Sequence, residues 1–237
     1  MEEGAECRSF NVLFLGNAGV GKTALIRRFV GANAVAPGAT CGVDVFTREI
    51  SVLDRRIALV LWDTAGQHRC RTLTPRHYEK ADAVVFVYSL LDRPSFQDLK
   101  SEWYPEVHEH AIEKGSDPVL VLLGNKCDLV KSGAEKRMVS YKNGQKLAEG
   151  CKFIFRETSA FSDDNTDALF SDIATALVRR GDRDVPQSSA QSVSLLDVRG
   201  LQQNRKKRKG GGCGSWLWWR CSCFCFKRSG RRRRHDQ

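Results

Sequence analysis

Apolar residues in this chain gather in short runs divided by polar stretches. Phe10 to Leu15, Ile57 to Trp62 and Val119 to Leu123 are too short for buried helices and too continuous for half-exposed strands, which marks them as buried strands. Strands are expected at about 9–16, 43–53, 56–62, 83–89, 118–124 and 152–156, with a hairpin turning at Asp54-Arg55. Helices are expected at about 22–31, 95–112, 139–150 and 166–179. In the last, Ala168, Leu169, Ile173, Ala174 and Leu177 recur at helical spacing. Loops are expected from the first helix through Thr40 and from Asp63 to about Tyr78. Alternating strand and helix predicts an α/β fold: a six-stranded, mostly parallel sheet with one antiparallel edge strand and helices on both faces.

The turn after the first strand reads Gly16-Asn17-Ala18-Gly19-Val20-Gly21-Lys22-Thr23, which fits G-x-x-x-x-G-K-[ST], a phosphate-binding loop. Glycines let the backbone wrap tightly enough for successive N–H groups to face phosphate oxygens. Lys22 adds a point charge toward the β- and γ-phosphates, and Thr23 offers a hydroxyl to Mg²⁺. The helix that begins there, with Ala24 in its first turn, aims its positive end at the same anion.

Three further motifs follow apolar runs. Asp63-Thr64-Ala65-Gly66-Gln67 ends the second: the Asp can hold Mg²⁺ through water, Gly66 can bring its N–H to a γ-phosphate, and Gln67 can orient an attacking water. Asn125-Lys126-Cys127-Asp128 ends the third. Its Asp128 carboxylate can accept two N–H bonds from the guanine edge, a pair adenine lacks, so such a site rejects ATP. Asn125 would tie neighbouring loops together, and the Lys126 stem would cover a face of the base. In Glu157-Thr158-Ser159-Ala160 the Ala160 amide can reach guanine O6.

With these motifs in this order, each at the end where open α/β sheets bind ligands, residues 8 to about 180 resemble a Ras-superfamily small GTPase. The resemblance implies the P-loop small GTPase fold, GTP/GDP and Mg²⁺ as cofactors, and hydrolysis of GTP to GDP and phosphate. Lys22 and Gln67 would be catalytic, and Thr23, Thr40 and Asp63 would hold the metal. The nucleotide set is Gly16, Asn17, Ala18, Gly19, Val20, Gly21, Lys22, Thr23, Ala24, Thr40, Gly66, Asn125, Lys126, Asp128, Ser159 and Ala160. Thr40 stands in Ala39-Thr40-Cys41-Gly42-Val43-Asp44, which is similar to the first switch of these GTPases. No arginine finger is evident in cis, so intrinsic turnover on the order of 10⁻⁴ to 10⁻³ per second is expected, with an activating protein supplying the missing charge.

Cys41-Gly42-Val43-Asp44-Val45, Leu61-Trp62-Asp63, Arg69 to Thr74, His77 to Ala81 and Phe86-Val87-Tyr88 look most like the Rab branch. That implies a switch regulating vesicle and membrane trafficking through effectors in the GTP state, with an exchange factor and an activating protein as further partners. Two other readings stand beside it: a GTP-binding adaptor with negligible hydrolysis, and a Ras-like signalling GTPase. The chain departs from the Rab pattern at Val45 and His77, where an aromatic triad with Trp62 is usual, and at His68 and Cys70 in the second switch. Residues 32–39 hold no aromatic, and Phe161 follows Ser159-Ala160 where the family has Lys. Phe161 either contacts the base region or packs beneath its loop.

Charge divides the 237 residues unevenly. The net +10 arises in the tail: from Arg199 onward there are 13 Lys/Arg and one acid, whereas the first 198 residues hold 25 Lys/Arg and 27 acids. A nearly neutral globular part argues against a basic nucleic-acid-binding domain. The expected organisation is a GTPase domain over 1–180, a flexible linker over 181–204 and a basic Cys/Trp-rich tail over 205–237. Trp216, Leu217, Trp218, Trp219, Phe224 and Phe226 sit between basic blocks, with Cys221, Cys223 and Cys225 as acylation candidates. This combination suits an anionic membrane surface. The other readings of the tail are a nuclear-import or RNA-contacting segment, a soft-metal site, and a variant terminus without a selected role. No C-a-a-X box or terminal cysteine pair is present. Met1-Glu2-Glu3 is unlike a signal peptide, and no apolar run spans a bilayer. The expected state is a monomer, cytoplasmic and peripheral on the cytosolic face of an endomembrane or the plasma membrane, with disulfides not expected.

Overall fold

The computed structural model describes residues 7–31, 42–66, 73–162 and 165–184. Six strands form one sheet: β1 (Arg8–Leu15), β2 (Val43–Val52), β3 (Arg55–Thr64), β4 (Ala83–Ser89), β5 (Val119–Asn125) and β6 (Ile154–Glu157). Their spatial order is β2-β3-β1-β4-β5-β6. Only β2 runs antiparallel, against β3; the other pairings are parallel. The expected sheet is therefore the observed one.

Strand periodicity splits the core into two faces. Phe14, Val85 and Val87 point to one side, where they meet Leu25 and Ile26 of α1 (Lys22–Val30) and Phe170, Ile173 and Leu177 of α7 (Thr166–Asp184). Leu13, Leu15, Val84, Phe86 and Tyr88 point to the other, against Trp103, Val107 and Ala148. β4 is buried along its whole length because it has strands on both sides and helices on both faces.

Several boundaries differ from expectation, each for a local reason. The hairpin turns at Leu53-Asp54, not Asp54-Arg55. Both turn residues are left-handed (φ 48° and 58°), as a type I′ turn requires, and Arg55 already pairs with Val52. The loop expected to run to about Tyr78 contains α2 (Pro75–Glu79). Pro75 starts it, and the His77 ring closes a capping box by accepting the Thr74 N–H at Nδ1, 3.0 Å away. Histidine is not the Glu or Gln that ordinarily signals such a start.

The helix expected at 95–112 is three pieces: α3 (Arg93–Asp98), a π-helical turn (Leu99–Trp103) and α4 (Tyr104–His110). Pro105 explains the break, since it has no N–H to give the Ser101 carbonyl one turn back. A short α5 (Cys127–Lys131) begins within the Asn125-Lys126-Cys127-Asp128 motif, and α6 (Tyr141–Cys151) leads to β6. The last helix continues to Asp184. Its extra turn touches the sheet: a Cβ on Gly181 would overlap the Arg8 guanidinium, and Asp182 pairs with Arg55. Among the described residues no helix is long and apolar enough to cross a membrane.

Two glycines of α6 make an internal comparison. A Cβ on Gly144 would press on Phe155 at 2.6 Å and the Tyr88 hydroxyl at 2.7 Å, whereas one on Gly150 meets nothing within 4 Å. Gly144→Ala is expected to destabilise the domain by about 1–3 kcal/mol through overpacking. Gly150→Ala should be neutral or stabilising by up to about 1 kcal/mol from helix propensity. Urea denaturation of the two variants checks both signs.

Candidate functional site

The loop between β1 and α1 folds around its own lysine. Lys22 is buried, and its Nζ donates to the carbonyls of Gly16 and Asn17 at 2.8 and 3.0 Å. Desolvation pushes its pKa down to about 8, against the opposing pull of the Asp63 charge. At the entrance to α1, Gly21 is left-handed (φ 98°), and a side chain there would strike the Asn125 amide. Thr23 and Ala24 lie in the first turn of α1, with Asn17 to Val20 on the loop.

Asp63, at the end of β3, completes this corner. It is wholly buried, and its Oδ2 accepts the Thr23 hydroxyl at 2.6 Å. Its Oδ1 is buried with no hydrogen-bond partner among the described residues. Burial raises its pKa, and the Thr23 bond and the Lys22 charge act in the opposite direction. Three residues on, Gly66 lies directly against the loop: a Cβ would overlap the Ala18 amide nitrogen and the Asn17 carbonyl. Only glycine permits that approach. Thr40 and Gln67 lie outside the described residues.

The second half of the site is joined to the first by one side chain. Asn125, at the end of β5, donates through Nδ2 to the Val20 carbonyl at 2.8 Å. Lys126 follows in the left-handed region (φ 70°) and caps α5, which puts Asp128 in that helix's first turn. The Thr158 N–H donates to the Gly124 carbonyl at 2.8 Å, and the Cys127 N–H to the Thr158 carbonyl at 3.1 Å. These bonds hold the loop of Ser159 and Ala160 beside Asn125 to Asp128. The buried Ser159 Oγ accepts the amides of Phe161 and Ser162, each at 3.1 Å. From behind, Arg137 grips Glu157 with two bonds of 2.6 and 2.9 Å. Thus the four motifs converge at the C-terminal end of the sheet.

Sequence reasoning missed one support. The Asn17 side chain donates to Asp98 at 2.6 Å and accepts from the Trp103 indole at 2.9 Å. Trp103, fully buried, lies at the end of the π-helical turn, which aims it at the phosphate loop. Pro105, two residues after Trp103, was the signal available. Two of the departures from the Rab pattern, Val45 and His77, lie together around Trp62, whereas His68 and Cys70 fall outside the described residues. Val45 faces Trp62 across the hairpin and is half exposed, and the Trp62 indole meets the His77 ring edge-on at 5.3 Å. Phe161 does not pack beneath its loop, for it is 89% exposed.

Comparison with known proteins agrees with this geometry. The Ras family model matches residues 11–179. The chain belongs to the Ras family and is a Rab-like small GTPase. It is 39% identical to the Ras-related protein Rab-30 of Homo sapiens over 170 residues, covering 71% of this chain and 80% of that protein. Rab-30 of Mus musculus matches to the same extent. The Ras-related protein Rab-10 of Caenorhabditis elegans is 34% identical over 205 residues, 86% of this chain and 96% of that protein. This Rab-like GTPase binds guanine nucleotide and hydrolyses GTP, and works as a switch in membrane trafficking with exchange factors, activating proteins and effectors.

The buried Lys22 makes a pH dependence with a definite sign. Its folded pKa of about 8 lies below the ordinary 10.5. Between those values the unfolded chain holds more protons, so Lys22's contribution to folding stability rises with pH through that window. Nucleotide phosphates favour the ammonium form and raise the pKa again. GDP binding is therefore expected to take up a proton as pH passes about 8, with affinity declining above it. Calorimetry in buffers of different ionisation enthalpy measures the uptake, and Lys22→Arg, charged throughout, should lack it.

Proposed function

We propose that the corner formed by Lys22, Thr23 and Asp63 is the hydrolytic centre of this GTPase and that Mg²⁺ is its metal. The observation that carries this is Asp63 Oδ1, buried beside the Thr23 hydroxyl and without a hydrogen-bond partner among the described residues. An orphaned carboxylate oxygen in such a place fits a water of the metal's shell. Thr23, Asp63 and Thr40 would hold the ion, which when bound neutralises charge developing on the phosphates. Lys22 already points into the loop and needs only to exchange two carbonyl acceptors for phosphate oxygens. Gln67 orients the attacking water, and Gly66, lying on the loop, senses the γ-phosphate through its amide. Asp128, Lys126, Ser159 and Ala160 read the guanine, with Asn125 holding the two halves in register.

Chelation of Mg²⁺ is expected to speed GDP release at least tenfold in the native protein and to change it little in Asp63→Ala. Gln67→Leu should lower GTP hydrolysis by one to two orders of magnitude while GDP affinity stays within about threefold. Release of a fluorescent GDP and single-turnover hydrolysis measure these.

The basic Cys/Trp-rich segment after residue 204 supports peripheral attachment to the cytosolic face of an endomembrane or the plasma membrane. Each cation near anionic lipid is worth about 1 kcal/mol, and acylation of Cys221, Cys223 or Cys225 would supply the second signal that stable anchoring needs. An N-terminally tagged full-length protein is expected on membranes, and one ending after Ser194 is expected to be soluble. Hydroxylamine should release the former if the link is a thioester. Equal solubility of both would refute the anchor.

A further inference from the structure

Among the described residues Phe161 is the most exposed large apolar side chain, at 89%. Its backbone is nevertheless held in place. Its amide donates to the buried Ser159 Oγ, and that loop is bonded through Thr158 to Gly124 and Cys127, within the segment that carries Asp128. An exposed aromatic ring on a backbone held in this way is placed to pack on a flat apolar surface brought to the same rim. The ring lies one residue beyond Ala160, on the rim shared with Asn125 to Asp128, and residues 32–39 hold no aromatic side chain.

We propose that Phe161 stacks on the guanine ring of the bound nucleotide and is a determinant of how long GDP is retained. The inference rests on the base-site reading of Asp128 and Ala160. A purine presents a π-face of matching size, and stacking on an aromatic side chain is independent of the hydrogen bonds that choose the base. The two functions thus divide: Asp128 decides which base enters, and Phe161 slows its departure. Guanine would bury one face of the Phe161 ring, and the left-handed Lys126 stands on the neighbouring loop to cover another part of the base.

Two measurements on the full chain test this. Phe161→Ala is expected to release GDP about tenfold faster, with Phe161→Trp at or below the native rate and Phe161→Leu near the alanine variant. The H8 proton of bound GDP should lie upfield in the native protein relative to Phe161→Leu, because a ring current shifts a nucleus upfield when it lies over the ring face and downfield when it lies beside the edge. The residue is exposed, so these variants should fold as the native protein does, which circular dichroism checks. Native release rates in Phe161→Ala together with an unshifted H8 would overturn the proposal and leave Phe161 as a contact for another protein. Asp128→Asn separates the underlying reading: it should weaken GDP and admit xanthosine diphosphate. If it does neither, the base-site assignment fails and the stacking proposal with it.

Discussion

One hydrogen bond, from the Asn125 amide to the Val20 carbonyl, makes a single site out of two halves of the sheet. The phosphate loop follows β1 and the base loop follows β5, with β4 between them. Nothing in either loop's local sequence brings them together. By register Leu15 lies level with Phe86 and Leu122, so β5 runs three residues past the end of β1 and brings Asn125 alongside the phosphate loop, where Gly21 leaves room for its side chain. A second layer, through Thr158, fastens the loop after β6 to the same point. Each of these contacts is made by backbone or a short side chain, so little conformational entropy is lost in holding the frame.

Within that frame the charged groups are held at a cost. Lys22 and Asp63 are both buried, and burial shifts each toward its neutral form. Carbonyls, a hydroxyl and mutual attraction satisfy them in part, but Asp63 Oδ1 is left with no hydrogen-bond partner among the described residues. Such an arrangement is preorganised for a polyanion: the groups are already desolvated and aimed, and ligand binding supplies the charge they lack. The same logic suits a nucleotide switch. Phosphate supplies the opposite charge that Lys22 lacks, and Gly66 already lies against the phosphate loop that would hold it.

The surface that departs from the Rab pattern is built on similar economy. His77 uses one ring nitrogen to cap its own helix and its ring to brace Trp62, so a single side chain fixes both the start of α2 and the indole beside Val45. With Val45 half exposed, the resulting face is less aromatic than three large rings would make it and carries a polar edge. Partners that recognise it must fit a different shape, which is how related switches on one fold keep separate company.

The sequence determined the fold class, the strand order's parallel character and the motifs, because glycine-rich loops, buried strand runs and strand-end carboxylates are local signals. Short elements were not legible: α2 begins with a histidine-closed capping box, α5 spans a single turn and a half, and the π-helical turn appears only once Pro105 is seen inside a continuous amphipathic pattern. The Asp98 and Trp103 support of Asn17 was hidden for a related reason, since those residues are more than 80 positions away along the chain. Tertiary structure alone decided that Asp63 Oδ1 is among the buried oxygens without a partner, how far Gly66 sits from the loop, and whether Phe161 faces in or out. Those outcomes depend on how distant strands and loops are set against one another, and periodicity along a chain carries no information about that separation.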